Sequence, residues 1–183
     1  MSTTQPIRNP EQLRTFKSYY QRENPNSRNY ILIITGLNSA LRISDILSLT
    51  YGDVYDYQKK TWKTHITIVE KKTGKTNRIY MNQEIRSTLE QYSSPEQNTP
   101  SAWLFSSQLQ TSRPLSRYQA FRIIKQAAVF AGLDGNISCH SLRKTFGYRA
   151  WKQGTPPALL MSIYNHSSYQ VTKRYLCIDQ DDK

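Results

Sequence analysis

The chain has 183 residues (21.3 kDa), with 25 Lys and Arg against 13 Asp and Glu, a net charge of +12, pI near 9.8 and mean hydropathy −0.69. That length suits one domain able to bury its own core, and the charge suits a polyanionic partner, nucleic acid or an acidic membrane. The longest apolar stretch, Tyr30 to Thr35, is six residues and too short to span a bilayer; no secretory signal is expected, and two cysteines, Cys139 and Cys177, suit a reducing cytoplasm.

Residues 1–9 are polar and read as a flexible arm. Pro10 with Glu11 and Gln12 begins a helix with Pro at its first position, carrying Leu13, Phe16, Tyr19 and Tyr20 at helical spacing as far as Arg22. Asn24-Pro25-Asn26-Ser27 punctuates it, and Arg28–Thr35 reads as a buried helix that Gly36 bends or ends. A third helix is predicted over Ser39–Leu49, with Leu41, Ile43, Ile46, Leu47 and Leu49 facing the core. The period then changes. Trp62–Val69 and Asn77–Met81 are β-branched or aromatic runs, and the polar, Gly-containing gap between them predicts one antiparallel hairpin. Helices return over Asn82–Tyr92, from Ser116 to Phe130, from Ser138 to Lys152, and from Thr155-Pro156-Pro157 to Asn165, which suits a left-handed end residue; Ser167-Ser168 caps a last one through Tyr175. The predicted fold is mainly α with a small antiparallel β-sheet: one domain over 10–178 and a short acidic tail over 179–183.

Four local features carry chemistry, each ordinary when taken alone. Arg42 and Asp45 are three apart and so share a helix face, where the carboxylate can orient a guanidinium toward a phosphate. Lys71, Lys72 and Lys75 crowd the hairpin tip, which is either a solvated turn or a mobile DNA contact. His140 and Arg143 lie on one face near the positive end of a helix, an arrangement that suits an anion. His166 is followed nine residues later by Tyr175, one of 13 tyrosines. The His and Cys residues form no metal-ligand spacing, so no metal and no cofactor is expected.

Taken in order, these features resemble the tyrosine recombinases of the phage integrase family. The matching segments are Gly36-Leu37 with Ala40-Leu41-Arg42-Ile43-Ser44-Asp45-Ile46-Leu47-Ser48-Leu49, the hairpin Lys72-Thr73-Gly74-Lys75, His140-Ser141-Leu142-Arg143-Lys144-Thr145-Phe146, and Asn165-His166-Ser167-Ser168 with Thr172 to Leu176. The steps of 23 residues from Arg143 to His166 and nine from His166 to Tyr175 are similar to the family's.

The resemblance implies DNA strand cleavage and rejoining through a 3′-phosphotyrosine, with Tyr175 as nucleophile and no metal or ATP. Arg42 and Arg143 would neutralise the phosphate, His166 and His140 would assist there or at the tyrosine proton, Lys72 would protonate the leaving oxygen, and Asp45 would support the pocket. Lys71, Lys75, Lys144, Lys173 and Arg174 are the further basic residues assigned to DNA contact. The implied partner is double-stranded DNA, bound by a multimer, a tetramer in this family, with an accessory DNA-bending protein as a further candidate, in the cytoplasm at the nucleoid and without a membrane. Only 41 residues precede Arg42, so the chain looks like the short family members, similar to the fimbrial phase-switch recombinases, without a separate core-binding domain. Two alternatives stand beside this reading. One is a catalytically silent DNA-binding regulator or partner subunit on the same scaffold; the other is a topoisomerase-like relaxing enzyme.

Overall fold

The computed structural model describes residues 4–69, 74 and 76–178. The elements run in the order α1 (Pro10–Ser18), a π-helical turn (Tyr19–Glu23), α2 (Ser27–Asn38), α3 (Ile43–Ile46), α4 (Tyr51–Val54), β1 (Tyr55–Asp56), β2 (Thr61–Trp62), β3 (His65–Val69), β4 (Thr76–Tyr80), α5 (Gln83–Tyr92), a 3₁₀ turn (Pro95–Gln97), α6 (Arg117–Phe130), α7 (Cys139–Lys152), α8 (Pro157–Tyr164) and α9 (Tyr169–Leu176). The mainly helical class with small antiparallel sheets is the one expected.

Helix α2 is the centre. Ile31, Leu32, Ile33, Ile34 and Leu37 are all buried, and the helix packs against α1, α5 and α7. A helix apolar on every side has to be enclosed on every side, so the other helices are arranged around it. Side chains stop and start those helices as their types predict. Asn9 accepts from the Glu11 and Gln12 amides, Ser116 and Gln119 form a reciprocal capping box, and Ser168 accepts from the Val171 amide. Asn165 ends α8 in the left-handed conformation at φ +54°.

Three expectations are corrected. The predicted helix over Ser39–Leu49 shrinks to the single turn α3. Ser39 is extended and its Oγ donates back to Thr35 O at 2.7 Å, ending α2, and Arg42 is also extended. Leu41, just before the turn, and Ile43, its first residue, both reach the core. Arg42 therefore stands at the N-cap of α3, and Asp45 lies within its single turn. Next, the predicted first strand divides. Thr61-Trp62 pairs with Tyr55-Asp56 in a second small sheet, turned by Lys60 at φ +51° and by Asp56 Oδ1, which accepts from the Gln58 and Lys59 amides. Only His65–Val69 pairs with Thr76–Tyr80, in the register His65 opposite Tyr80. Finally, residues 4–9 are no loose arm: Ile7 is 2% exposed and its amide donates to Thr145 Oγ1 at 2.9 Å, so the main chain and one isoleucine dock a segment whose other side chains are mostly polar. The predicted tail over 179–183 lies outside the described residues.

Helix α7 lies close against α2 at Gly36. A Cβ there would stand 2.5 Å from Leu142 Cδ1 and 3.2 Å from Leu142 Cβ. Gly36→Ala is therefore expected to lower unfolding free energy by roughly 1–3 kcal/mol from overpacking, outweighing the gain of up to about 1 kcal/mol in helix propensity. Urea unfolding of the two proteins measures the difference, and equal midpoints would show that α7 can move away at no cost.

Candidate active site

Four pieces of backbone bring the site together. The extended approach to α3 supplies Arg42, the first two turns of α7 supply His140 and Arg143, the turn after α8 supplies His166, and the last turn of α9 supplies Tyr175. Helices α7, α8 and α9 contact one another pairwise. Gly147 permits the approach, because a Cβ there would overlap Tyr164 Oη and stand 2.6 Å from Leu176 Cδ2.

Arg143 is 8% exposed. A buried guanidinium is costly unless it is held and paired. Its Cζ lies 4.9 Å from the centroid of the Tyr164 ring, and Tyr164 Oη donates to Arg143 O at 2.8 Å. One tyrosine thus fixes both the side chain and the backbone of the arginine. The same ring stacks on His166 with centroids 5.5 Å apart and lies 5.2 Å from Tyr175, while His166 meets Tyr175 edge-on at 5.2 Å. His166 Nδ1 lies 3.0 Å from Thr172 Oγ1, a fully buried hydroxyl one turn before Tyr175. Tyr164 and Thr172 are functional supports that sequence reasoning missed. Thr172 carried a signal, sitting three residues before Tyr175 on the same helix face.

The electrostatics converge on the same point. Burial pushes the Tyr175 hydroxyl above the ordinary phenol range, and Arg143 and Arg42 pull it back. His166 is held below the usual imidazole range by burial, and by Arg143 and Arg42. His140, on the exposed face of α7, is lowered by partial desolvation and then by Arg117, Arg143, Lys144 and Arg42. Both imidazoles are therefore neutral at pH 7, beside the Arg42 and Arg143 guanidiniums that lower them. Arg117, exposed at the start of α6, is a further cation near His140 that the sequence did not single out.

The structure brings together Arg42, His140, Arg143, His166 and Tyr175. Asp45 is 2% exposed, three residues beyond Arg42. Lys71, Lys72 and Lys75 lie outside the described residues, so the expected proton donor at the hairpin tip is not located. Of the other basic residues assigned to DNA, Arg174 is exposed and Lys173 half-buried. Lys144 is a correction: at 2% exposure it is not on the surface at all, because α7 turns it inward beneath α9.

Depressed imidazole pKa values have a stability consequence with a definite sign. Unfolded histidine takes up its proton near pH 6.5, and the folded site resists. The unfolded state then binds more protons, so this part of the stability is present above pH 6.5 and is lost as pH falls below it. Chemical unfolding followed from pH 7.5 to 5 should show a falling midpoint over that range. In His166→Gln the fall should be shallower, and an unchanged slope would remove His166 as a contributor.

The profile of the Phage integrase family matches residues 9–181. The chain is 40% identical over 181 residues to the probable integrase/recombinase YoeC of Bacillus subtilis strain 168, covering 99% of this chain and 93% of that protein. It is 29% identical over 153 residues to the type 1 fimbriae regulatory protein FimE of Escherichia coli strain K12, covering 81% and 74%. Among solved structures, the fold is similar to that of XerA recombinase (TM-score 0.73, 20% identity), covering 95% of this chain and 61% of that one. It is also similar to XerH site-specific recombinase bound to its palindromic difH substrate (TM-score 0.73, 19% identity), covering 99% and 52%. The chain thus spans about half to three fifths of those two structures. On the family match, and with Arg42, His140, Arg143, His166 and Tyr175 gathered at one point, the chain belongs to the phage integrase family of tyrosine recombinases.

Proposed function

We propose that this chain is a site-specific DNA recombinase that cuts and rejoins strands through a 3′-phosphotyrosyl intermediate on Tyr175. The observation that carries the reading is the convergence of Arg42, Arg143 and His166 on the Tyr175 ring and hydroxyl. The Tyr175 oxygen attacks the scissile phosphorus, a new P–O bond forms to the tyrosine, and the bond to the 5′ oxygen breaks. The link conserves the phosphodiester, so the 5′-hydroxyl can attack it in turn and restore the strand without ATP.

Each side chain then has a task set by its chemistry. Arg42 and Arg143 carry permanent planar charge and bind the non-bridging oxygens as negative charge builds on them. Thr172 Oγ1 can donate to His166 Nδ1 at 3.0 Å or to Ser168 O at 3.4 Å. The shorter bond leaves the neutral ring protonated on Nε2, a donor for a phosphate oxygen. The Tyr175 hydroxyl, raised by burial, holds its proton until a base takes it. Neutral His140, one turn before Arg143, is the candidate base or a further phosphate contact. The departing 5′ oxygen needs a proton, and Lys72 is assigned to supply it on the family resemblance alone. These side chains supply the positive charge that the reaction needs, so the chemistry proceeds without a divalent metal.

The partner is double-stranded DNA, engaged by several copies of the chain. DNA accompanies such domains in related structures, including a lambda integrase dimer bound to a COC′ core site (TM-score 0.67, 16% identity). With a net charge of +12, phosphate contacts should dominate affinity. Gel shifts from about 50 to 200 mM salt are then expected to weaken by orders of magnitude, and a flat response would count against a phosphate-led interface.

The mechanism is tested by covalent trapping on nicked DNA fragments tiled from around the gene, with EDTA present and an SDS quench. The wild-type chain should give an SDS-stable adduct, Tyr175→Phe should give none, and Arg143→Ala should form it about 10²–10³ times more slowly. If no fragment gives an adduct while gel shifts still show binding, the chain is a silent DNA-binding subunit or a recombinase that needs a partner to cut.

A further inference from the structure

Lys144 is the residue of the second arginine segment that the mechanism leaves without work, and it is among the most deeply buried side chains of the protein. A lysine ammonium taken out of water is costly unless its donors are satisfied and its charge is compensated. Here Nζ donates to Thr4 O at 2.5 Å and to Cys177 Sγ at 3.7 Å, and it lies 5.2 Å from the centroid of the Tyr175 ring. The cation is thus held between the N-terminal segment and the nucleophile's own aromatic face, a placement in which a cation and a ring attract.

The N-terminal segment is attached to both sides of this contact. On the α7 side, Ile7 N donates to Thr145 Oγ1 at 2.9 Å, and Arg8 Cζ lies 5.4 Å over the Tyr148 ring. On the α9 side, Arg8 Nη2 donates to Cys177 O at 2.6 Å. Cys177 is the left-handed C-cap of α9 at φ +61°, two residues beyond Tyr175. The end of a short helix frays unless it is tied down. Here the tie comes from residues some 170 positions earlier in the same chain.

We propose that residues 4–8 are an intramolecular clamp on the helix that carries Tyr175, and that Lys144 is the positioning residue through which the clamp sets the tyrosine ring. This rests on the reading of Tyr175 as nucleophile. A covalent step is sensitive to placement, and an error of about 1 Å can cost on the order of a hundredfold in rate. The clamp works within one chain, through groups that are buried or half-buried. It predicts a loss in the rate of cleavage at saturating DNA with no loss of affinity.

The 183-residue chain is tested in three variants. Lys144→Met keeps the apolar stem and removes the donor to Thr4 and the charge over the ring. Arg8→Ala, at a half-buried position, removes the donor to Cys177 O and leaves Lys144 in place. Arg8→Lys restores a cationic donor. At saturating nicked DNA, adduct formation is expected to slow about 10- to 100-fold in Lys144→Met, less in Arg8→Ala, and to recover in part in Arg8→Lys, with gel-shift affinity unchanged throughout. Amide hydrogen exchange across residues 169–177 should quicken in Lys144→Met and Arg8→Ala while exchange in α2 keeps its wild-type rate. Wild-type cleavage together with wild-type exchange in α9 would overturn the clamp, as would quickened exchange spread equally over α2 and α9 with DNA affinity lost in step. Should the wild-type chain form no adduct, the reading of it as a recombinase that cuts without a partner fails, and the exchange measurement still decides whether residues 4–8 hold α9.

Discussion

The site depends on one buried guanidinium and the tyrosine beneath it. Arg143 is placed by a ring that faces its cation and a hydroxyl that returns to its own carbonyl. A cation with freedom to swing would lose most of its value for a developing phosphate charge, since electrostatic stabilisation works through donors already in place. Tyr164 restricts that freedom through its ring and its hydroxyl. The same ring then serves as the floor on which His166 and Tyr175 are arranged. Three of the reacting groups therefore share one reference surface, and errors in their relative placement are small.

Two glycines make that surface available. At Gly36 and Gly147, α7 comes within side-chain distance of α2 on one side and of α8 and α9 on the other, and any Cβ would hold the helices apart. The apolar helix α2 must be enclosed, α7 encloses it, and the second arginine segment is carried on α7. On its other side α7 contributes Tyr148 to a separate, smaller cluster with Tyr164, Leu176 and Ile178, against which Tyr175 packs, and burial raises the proton affinity of Tyr175 and lowers that of His166. Helix α7 thus serves both the core and the site.

Much of the site was legible from residue order. His140 and Arg143 needed only a helix start, which Ser138 announced, and Asn165 announced the turn that presents His166. What was not legible has physical causes. The segment around Arg42 reads as a helix by its apolar spacing, yet Ser39 closes the preceding helix with its own hydroxyl, and the chain stays non-helical through Arg42 before α3 begins at Ile43. Tyr164 was one tyrosine among 13, and nothing local marks the one that lies under the arginine. Polar residues near the N-terminus read as a loose arm because their docking rests on main-chain groups, which carry no sequence signal, and on an Arg8 guanidinium that reads as solvent-facing in the sequence.

The sequence alone determined most of the helix caps, the class of fold and the identity of the charged and nucleophilic groups. These follow from local rules: caps, turn residues, apolar period, and the chemistry that each side chain can perform. Tertiary structure decided the rest, above all which side chains are buried together. Lys144 shows the difference most sharply. Written in the chain it is one more positive charge beside an arginine, and a surface contact to DNA is the natural reading. In the fold, the rotation of α7 that brings Arg143 to the site sends the next side chain inward to the carbonyl of Thr4 and the ring of Tyr175, because successive residues of a helix point about 100° apart and only one of them can face the phosphate.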